Sequence, residues 1–226
     1  MFVGHIGAGL ALKKVAPRAN LGVLLLGALF ADVLLWVLVL AGVESVVVPA
    51  DFRTAHFFTF EFPFSHSLVA TLVWASLAGA AAWLFLAPGF PRRGLVALAV
   101  ALAALSHFVL DLIVHVPDLP LASGQSVKLG FGLWRSMPVA LALELFIAAA
   151  ALVVHLRAVT LSRGRAALVV GLVVVTGAFT ALGPYASAGP PPLATMAGSS
   201  LVTLALVVVL GFWIEGRVGV AGRETG

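Results

Sequence analysis

The sequence predicts an all-α integral membrane protein, a polytopic bundle of transmembrane helices that forms one domain over residues 1–226. Two observations predict this class. First, 62% of the residues are apolar and only 10% are charged, which is far more hydrophobic than a soluble domain. Second, several nearly uncharged runs reach the roughly 20 residues that a helix needs to cross a bilayer.

We expect six membrane spans, separated by loops rich in proline and glycine. Their predicted bounds are residues 21–43, 64–86, 94–115, 137–159, 166–186 and 195–214. No loop between them is long enough for a further domain.

Residues 1–12 are apolar but too short to span a bilayer. As a helix they would rise roughly 16 to 18 Å, about half the membrane. The sequence therefore predicts either a half-membrane helix, with Lys13 and Lys14 at the cytoplasmic boundary and His5 deeper, or a helix lying flat on the surface. Because the apolar run precedes the lysines, the order is opposite to that of a secretory signal.

Positive charge is concentrated in alternate loops, which predicts that both termini are cytoplasmic. The arginines of these loops include Arg92, Arg93, Arg157 and, near the end of the chain, Arg217. Since this charge is spread over short loops, we expect membrane lipids and no nucleic acid as partners. The pattern predicts no particular oligomeric state.

The third predicted span carries His107, Asp111 and His115 at intervals of four residues, which places them on one face of a helix. Imidazole and carboxylate at this spacing can hold Zn²⁺, with Mn²⁺ or Mg²⁺ as alternatives. Because the chain has no cysteine, the ligands of any metal must be His, Asp or Glu. The alternative is a hydrogen-bonded His and Asp pair that only joins helices.

Asp32 and His66 are the other candidate ligands. Asp32 falls in the middle of the first span, where a carboxylate costs several kcal/mol unless it has a partner. It could be a metal ligand, a proton carrier or a protonated side chain without a role in the site, and we favour the metal ligand. His66, between Ser65 and Ser67, begins the second span on the same side of the membrane as His107 and Asp111.

Two acidic residues are candidates for the catalytic proton acceptor. Glu144 lies about two turns into the fourth predicted span, where it could also act as a ligand or support one. Asp118 follows the His115 segment. In contrast, we expect His56 and His155 to be interfacial residues.

Four short motifs resemble the membrane-bound metal-dependent hydrolases of the YdjM type. They are Gly4-His5, Asp32 after an apolar run, Ser65-His66-Ser67, and Ser106-His107 with Asp111. The segment from Asp111 to Leu121 is similar to an uncharacterised subgroup of that family. The resemblance covers about the first 120 residues and implies that His5 joins the metal site. The family's Pro-Asp-x-Asp element is here Ala31-Asp32-Val33-Leu34, and the His-Arg that often precedes its central histidine is missing.

The sequence therefore predicts a membrane-embedded metal-dependent hydrolase that cleaves a phosphoester or acyl ester of a lipid or amphiphile. The first alternative is a transporter or ion-coupled permease that uses the same His, Asp and Glu residues. A second alternative is b-type haem held by His66 and His107 from facing helices.

Overall fold

The computed structural model describes residues 1–123, 126–186 and 189–215, and it is an all-α bundle. Six helices are long and apolar enough to cross a membrane, as the sequence predicts. They are α2 (Leu21–Leu40), α4 (Leu68–Phe85), α5 (Arg93–Val114), α6 (Met137–Ala158), α7 (Arg163–Leu182) and α8 (Leu193–Glu215). The short helix α1 spans Phe2–Leu12, and α3 is a single turn, Phe52–Ala55.

Short extended segments lie in the loops on one side of the bundle. Strand β1 (Ser45–Val47) pairs antiparallel with β2 (Thr59–Glu61), and β3 (Leu119–Pro120) pairs with β4 (Lys128–Leu129). The two hairpins cover the end of the bundle where α2 and α5 finish. They are the loop structure nearest to the candidate site.

Side chains at the loops set where several helices begin. The amide oxygen of Asn20 accepts the backbone N–H of Gly22 and caps α2. Ser67 caps α4 and Ser162 caps α7 in the same way. These caps satisfy backbone donors that the first turn of a helix leaves without partners.

Helix α1 lies inside the bundle. Its residues Val3, Ile6 and Leu10 are fully buried, and it packs against α2, α5, α6 and α7. This placement agrees with a half-membrane helix and not with a helix lying flat on the surface. Met1 is buried in the bundle, and Arg217 and the rest of the carboxyl end lie outside the described residues, so the cytoplasmic placement of both termini stays a prediction.

The outer faces of the long helices carry large apolar side chains. Phe146 on α6, Val175 on α7 and Val209 on α8 are 70%, 68% and 62% exposed. A continuous apolar exterior of this kind is unstable in water and suits the hydrocarbon of a bilayer. The chain is therefore an integral membrane protein.

One lysine lies in a different environment from the one that the sequence predicts. Lys14 is exposed, as expected of a residue at the membrane boundary. Lys13 is instead fully buried, and its Nζ lies 2.8 Å from Oε2 of Glu215 at the end of α8. The desolvation of this charge is offset by the ion pair and by two backbone carbonyls, those of Pro17 and Ala19.

Candidate metal centre

Four helices bring the predicted ligands together. His5 lies on α1, Asp32 on α2, His66 directly before α4, and His107 and Asp111 one turn apart on α5. Four of these side chains are buried, whereas the carboxylate of Asp32 is 22% exposed. The cluster is therefore shielded on most sides and reachable near Asp32.

The ring nitrogen Nε2 of His107 lies at the centre of the cluster. It is 3.2 Å from Oδ2 of Asp111, 3.1 Å from Nε2 of His66 and 3.6 Å from Oδ1 of Asp32. His66 Nε2 is in turn 3.7 Å from each of these two carboxylate oxygens. Residues far apart in the chain thus place their potential ligand atoms in one small volume.

Two overlapping groups of side chains have the spacing that a metal ion requires. One is His66, His107 and Asp111, and the other is His5, Asp32 and His107; within each group the ligand atoms lie within 4.8 Å of one another. In a tetrahedral zinc site with bonds of about 2.0–2.2 Å, neighbouring ligand atoms are roughly 3.3 to 3.6 Å apart. The separations of 3.1, 3.2 and 3.7 Å in the first group are close to that range. These buried groups could hold a metal ion.

Hydrogen bonds on the far side of each imidazole fix the nitrogen that faces the cluster. Nδ1 of His107 lies 2.7 Å from the carbonyl oxygen of Ala28, which can only accept, so Nδ1 carries the proton. Ser65 donates its hydroxyl proton to Glu44 at 2.6 Å and can therefore only accept from Nδ1 of His66, 2.7 Å away. In both rings Nε2 is left as a lone pair directed at the cluster.

These two lone pairs face each other at 3.1 Å, beside two carboxylates. Four such electron-rich groups repel one another unless a positive charge lies among them. That charge is either an additional proton on one imidazole or a metal ion. The bonds from Nδ1 to a carbonyl and to a serine are also the kind that orient histidines which bind metals.

The second oxygen of Asp111 faces α1. Oδ1 accepts a hydrogen bond from the amino group of Met1 at 2.9 Å and lies 3.0 Å from Nε2 of His5. The latter approach is not aligned as a hydrogen bond, so neither ring nitrogen of His5 has a hydrogen-bond partner. The ring of His5 stacks on that of His107, with centroids 3.7 Å apart. His5 is therefore next to the cluster and has an unused nitrogen.

His115 and Asp118 lie at the edge of the cluster. His115 Nε2 is 3.8 Å from Oδ2 of Asp111, and its Nδ1 donates to Asp118 at 2.9 Å. Asp118 also accepts the backbone N–H of Phe60 at 3.2 Å. The structure thus places Asp118 behind His115, as the group that orients its ring. Its predicted role as a proton acceptor stays a prediction.

Glu144 is buried on α6, and its carboxylate interacts with the backbone N–H groups of Phe2 and Gly4 at the start of α1. The positive amino-terminal end of the α1 dipole stabilises a carboxylate at this position. One of its oxygens, Oε2, has no hydrogen-bond partner. Glu144 belongs to neither metal-capable group, and its catalytic role also stays a prediction.

The two remaining histidines are outside the cluster. His56 makes a hydrogen-bond contact with the carbonyl of Pro184 through Nδ1 at 3.1 Å and contacts the ring of Tyr185. His155 is fully buried at the other end of α6 and is not the interfacial residue that we expected. The haem interpretation does not fit, since carboxylate oxygens of Asp32 and Asp111 lie within 3.7 Å of both Nε2 atoms, where the porphyrin ring would have to lie.

Sequence reasoning missed Glu44, which sets the ring of His66 through its contact with Ser65. Both oxygens of Glu44 are used, since one accepts the backbone N–H groups of Phe64 and Ser65 and the other accepts the Ser65 hydroxyl. Ser65, directly beside His66, was the only part of this arrangement that the sequence indicated. Comparisons with models of known families, with curated proteins and with solved structures found no match.

Proposed function

We propose that this protein is a membrane-embedded metal-dependent hydrolase that acts on an ester or phosphoester of an amphiphile. The observation that carries the proposal is the convergence of two imidazole Nε2 lone pairs and two carboxylates in a buried volume. The YdjM-type motifs of the first 120 residues support the same activity. The same resemblance implies a bacterial inner membrane as the location, and the loop charges favour an orientation with the Lys14 end of α1 towards the cytoplasm.

In this proposal His66, His107 and Asp111 hold the metal ion. Two imidazoles and one carboxylate form a set typical of catalytic zinc sites, which keep a fourth position open. We therefore name Zn²⁺ first and Mn²⁺ or Mg²⁺ as alternatives. A divalent cation held there would supply the Lewis acid that activates water and polarises the bond to be cleaved.

Asp32 is the group best placed to accept the proton of the attacking water. Its Oδ1 lies 3.6 Å from His107 Nε2 and 3.7 Å from His66 Nε2, and its side chain is partly exposed to the cavity beside the cluster. Among the described residues, the lining of that cavity includes neither Glu144 nor Asp118. Asp32 also remains a candidate fourth ligand, and His5 stacks behind His107 to support its ring.

The first experiment is to purify the protein in detergent and measure its metal content. We expect about one divalent ion per chain in the wild type and almost none in His107→Ala or Asp111→Ala. His56→Ala is the matched control, because His56 is a histidine outside the cluster and should leave the metal content unchanged. A wild type without stoichiometric metal would contradict the proposal at its first step.

The second experiment separates hydrolysis from transport. Purified protein is incubated with acyl esters and phosphoesters of amphiphiles, and the same preparation is reconstituted in liposomes that contain a metal-sensitive dye. Hydrolysis that requires His107 and Asp111 supports the proposal. Metal flux down a gradient without hydrolysis would instead favour the permease.

A further inference from the structure

The candidate metal centre opens into a cavity of about 310 Å³. Its inner wall contains Asp32, His66, Asp111 and His115, and its outer wall is formed by α7 and α8. The volume is at the lower end of the range of about 300 to 1,000 Å³ that is typical of small-molecule sites. It suits one narrow chain better than a lipid with two chains.

The cavity reaches the outside between α7 and α8. Phe179 on α7 is 60% exposed, and Ser199 on α8 is exposed, although both line the cavity. The two helices pack only lightly against each other. Since their outer faces are apolar, a ligand entering here would come sideways from the bilayer.

Most of the lining is apolar or aromatic. Phe60, Phe62 and Trp134 contribute from the loops, Leu35 and Trp36 from α2, and Leu204 from α8. Such a surface can accommodate an aliphatic chain, because it is about as apolar as the lipid tails that the chain would leave.

Several polar groups of the lining can accept hydrogen bonds from a ligand. Ser199 donates its hydroxyl proton to the carbonyl of Met196 at 3.1 Å, and Thr203 donates to that of Ser199 at 2.8 Å, so both oxygens keep lone pairs for a ligand. Among the described residues, no arginine or lysine lines the cavity, and the amino group of Met1 is paired with Asp111. Acceptors beside two carboxylates suit a donor such as an alcohol, whereas a phosphate would depend on the proposed metal ion alone for a positive charge.

We propose that the ligand of this cavity is a neutral, single-chain acyl ester of a hydroxylated alcohol, which enters between α7 and α8. This inference rests on the proposed hydrolase and specifies its substrate class. In the reaction the oxygen of water bonds to the carbonyl carbon, the bond from that carbon to the alcohol oxygen breaks, and the alcohol oxygen takes a proton. The products are one carboxylic acid and one alcohol.

Binding can be measured without catalysis, because Trp36 and Trp134 line the cavity. The probe is an alkyl ether of glycerol with bromine atoms on its chain, which cannot be hydrolysed and quenches tryptophan fluorescence on contact. The other three tryptophans, Trp74, Trp83 and Trp213, are replaced by phenylalanine. A brominated alkyl phosphate of the same chain is the second probe.

We expect saturable quenching by the glycerol ether and at least about tenfold weaker binding of the phosphate. Thr203→Phe, which fills the cavity, should weaken binding of the ether by about tenfold or more. Ser200→Leu, on the same wall, is the second variant. Val202→Phe is the matched control, since Val202 is 59% exposed on the outer face of α8 and should leave binding unchanged.

The outcomes distinguish this inference from the proposed function. Quenching that is not saturable, that is unaffected by Thr203→Phe and Ser200→Leu, or that is as strong for the phosphate overturns the inference, even if the protein holds stoichiometric metal. Saturable quenching in a protein without metal would support the cavity as a site for a neutral amphiphile and would overturn the hydrolase. Chelation should leave quenching by the ether unchanged, because the chain and the hydroxyl groups supply most of its contacts.

Discussion

The hydroxyl of Ser65 decides which nitrogen of His66 faces the cluster. Because Glu44 takes its proton, the serine oxygen must accept from Nδ1, and the lone pair of Nε2 faces the cluster. The carbonyl of Ala28 does the same for His107, and Asp118 for His115. Three histidines that differ in sequence context thus share one tautomer. This common tautomer favours a cation site over a network of hydrogen bonds between side chains.

Replacing Ser65 by alanine tests this role. We expect Ser65→Ala to lower the affinity for the metal ion by about 10–100-fold, the usual effect of removing a group that orients a ligand. The measurement is a titration against a competing chelator. Ser67→Ala is the control, since Ser67 flanks the same histidine but caps α4 through the backbone N–H of Ala70.

Ser67→Ala should lower the free energy of unfolding by roughly 1 kcal/mol, because α4 loses its cap, and should leave the affinity for the metal ion unchanged. An unchanged affinity in Ser65→Ala would show that Glu44 and Ser65 do not govern the ligand atom of His66.

At the scale of helices, one buried ion pair joins the end of α1, the start of α2 and the end of α8. Lys13 Nζ donates to Glu215 Oε2, and the same oxygen accepts the backbone N–H of Leu21 at 2.8 Å. Burial lowers the pKa of Lys13, and the Glu215 carboxylate acts in the opposite direction. Removing one partner leaves a charge without compensation in a place that water does not reach.

We expect Lys13→Met to destabilise the protein by roughly 3 to 5 kcal/mol, seen as a lower Tm in detergent. Lys14→Met, on the exposed neighbouring lysine, should change stability by less than about 0.5 kcal/mol. The double variant Lys13→Met with Glu215→Leu should recover part of the loss, because no charge is then buried alone. Equal effects at Lys13 and Lys14 would contradict a structural role for the pair.

Helices α2 and α8 approach each other most closely where two glycines meet. A Cβ added at Gly211 would lie 3.0 Å from Cα of Gly22 and 2.7 Å from a methyl group of Leu25. Small residues at such crossings allow helices in a membrane to pack closely. On the same helix, a Cβ at Gly198 would meet nothing within 4 Å.

The two glycines of α8 should therefore respond oppositely to alanine. Gly211→Ala should lower Tm, since α2 must move away from α8, whereas Gly198→Ala should raise it slightly. The gain at Gly198 is at most about 1 kcal/mol, the difference in helix propensity between the residues. Thermal unfolding in one detergent compares both variants, and a destabilising Gly198→Ala would contradict the open space seen there.

At the scale of the whole molecule, hydropathy was enough to predict the six spans, and the cost of charge in lipid was enough to predict that Asp32 has partners. The spacing of four residues likewise put His107 and Asp111 on one face. Hydropathy gives the depth of a residue but not the direction in which it points. For that reason the pairing of Lys13 with Glu215, 202 positions apart, could not be predicted.

The loops were the other limit of prediction. Glu44 lies in the loop after α2, where no motif marks it, yet it supports the ring of His66 through Ser65. A contact between a loop and the start of a helix depends on how the hairpin of β1 and β2 folds over the bundle. No periodic pattern in the sequence reports that arrangement.

Because the proposed ion would join the start of α4 to α5, its removal should destabilise the fold. A ligand that binds only the folded state adds about 2.7 kcal/mol at a concentration one hundred times its Kd. We therefore expect a chelator to lower the Tm of the wild type and added Zn²⁺ to restore it.

His107→Ala should begin near the Tm of the chelated wild type and respond to neither treatment, while His56→Ala should respond as the wild type does. Equal responses of His107→Ala and the wild type would place the stabilising ion elsewhere. A wild type that holds no metal and responds to neither chelator nor zinc would show that the positive charge between the Nε2 atoms of His66 and His107 is a proton.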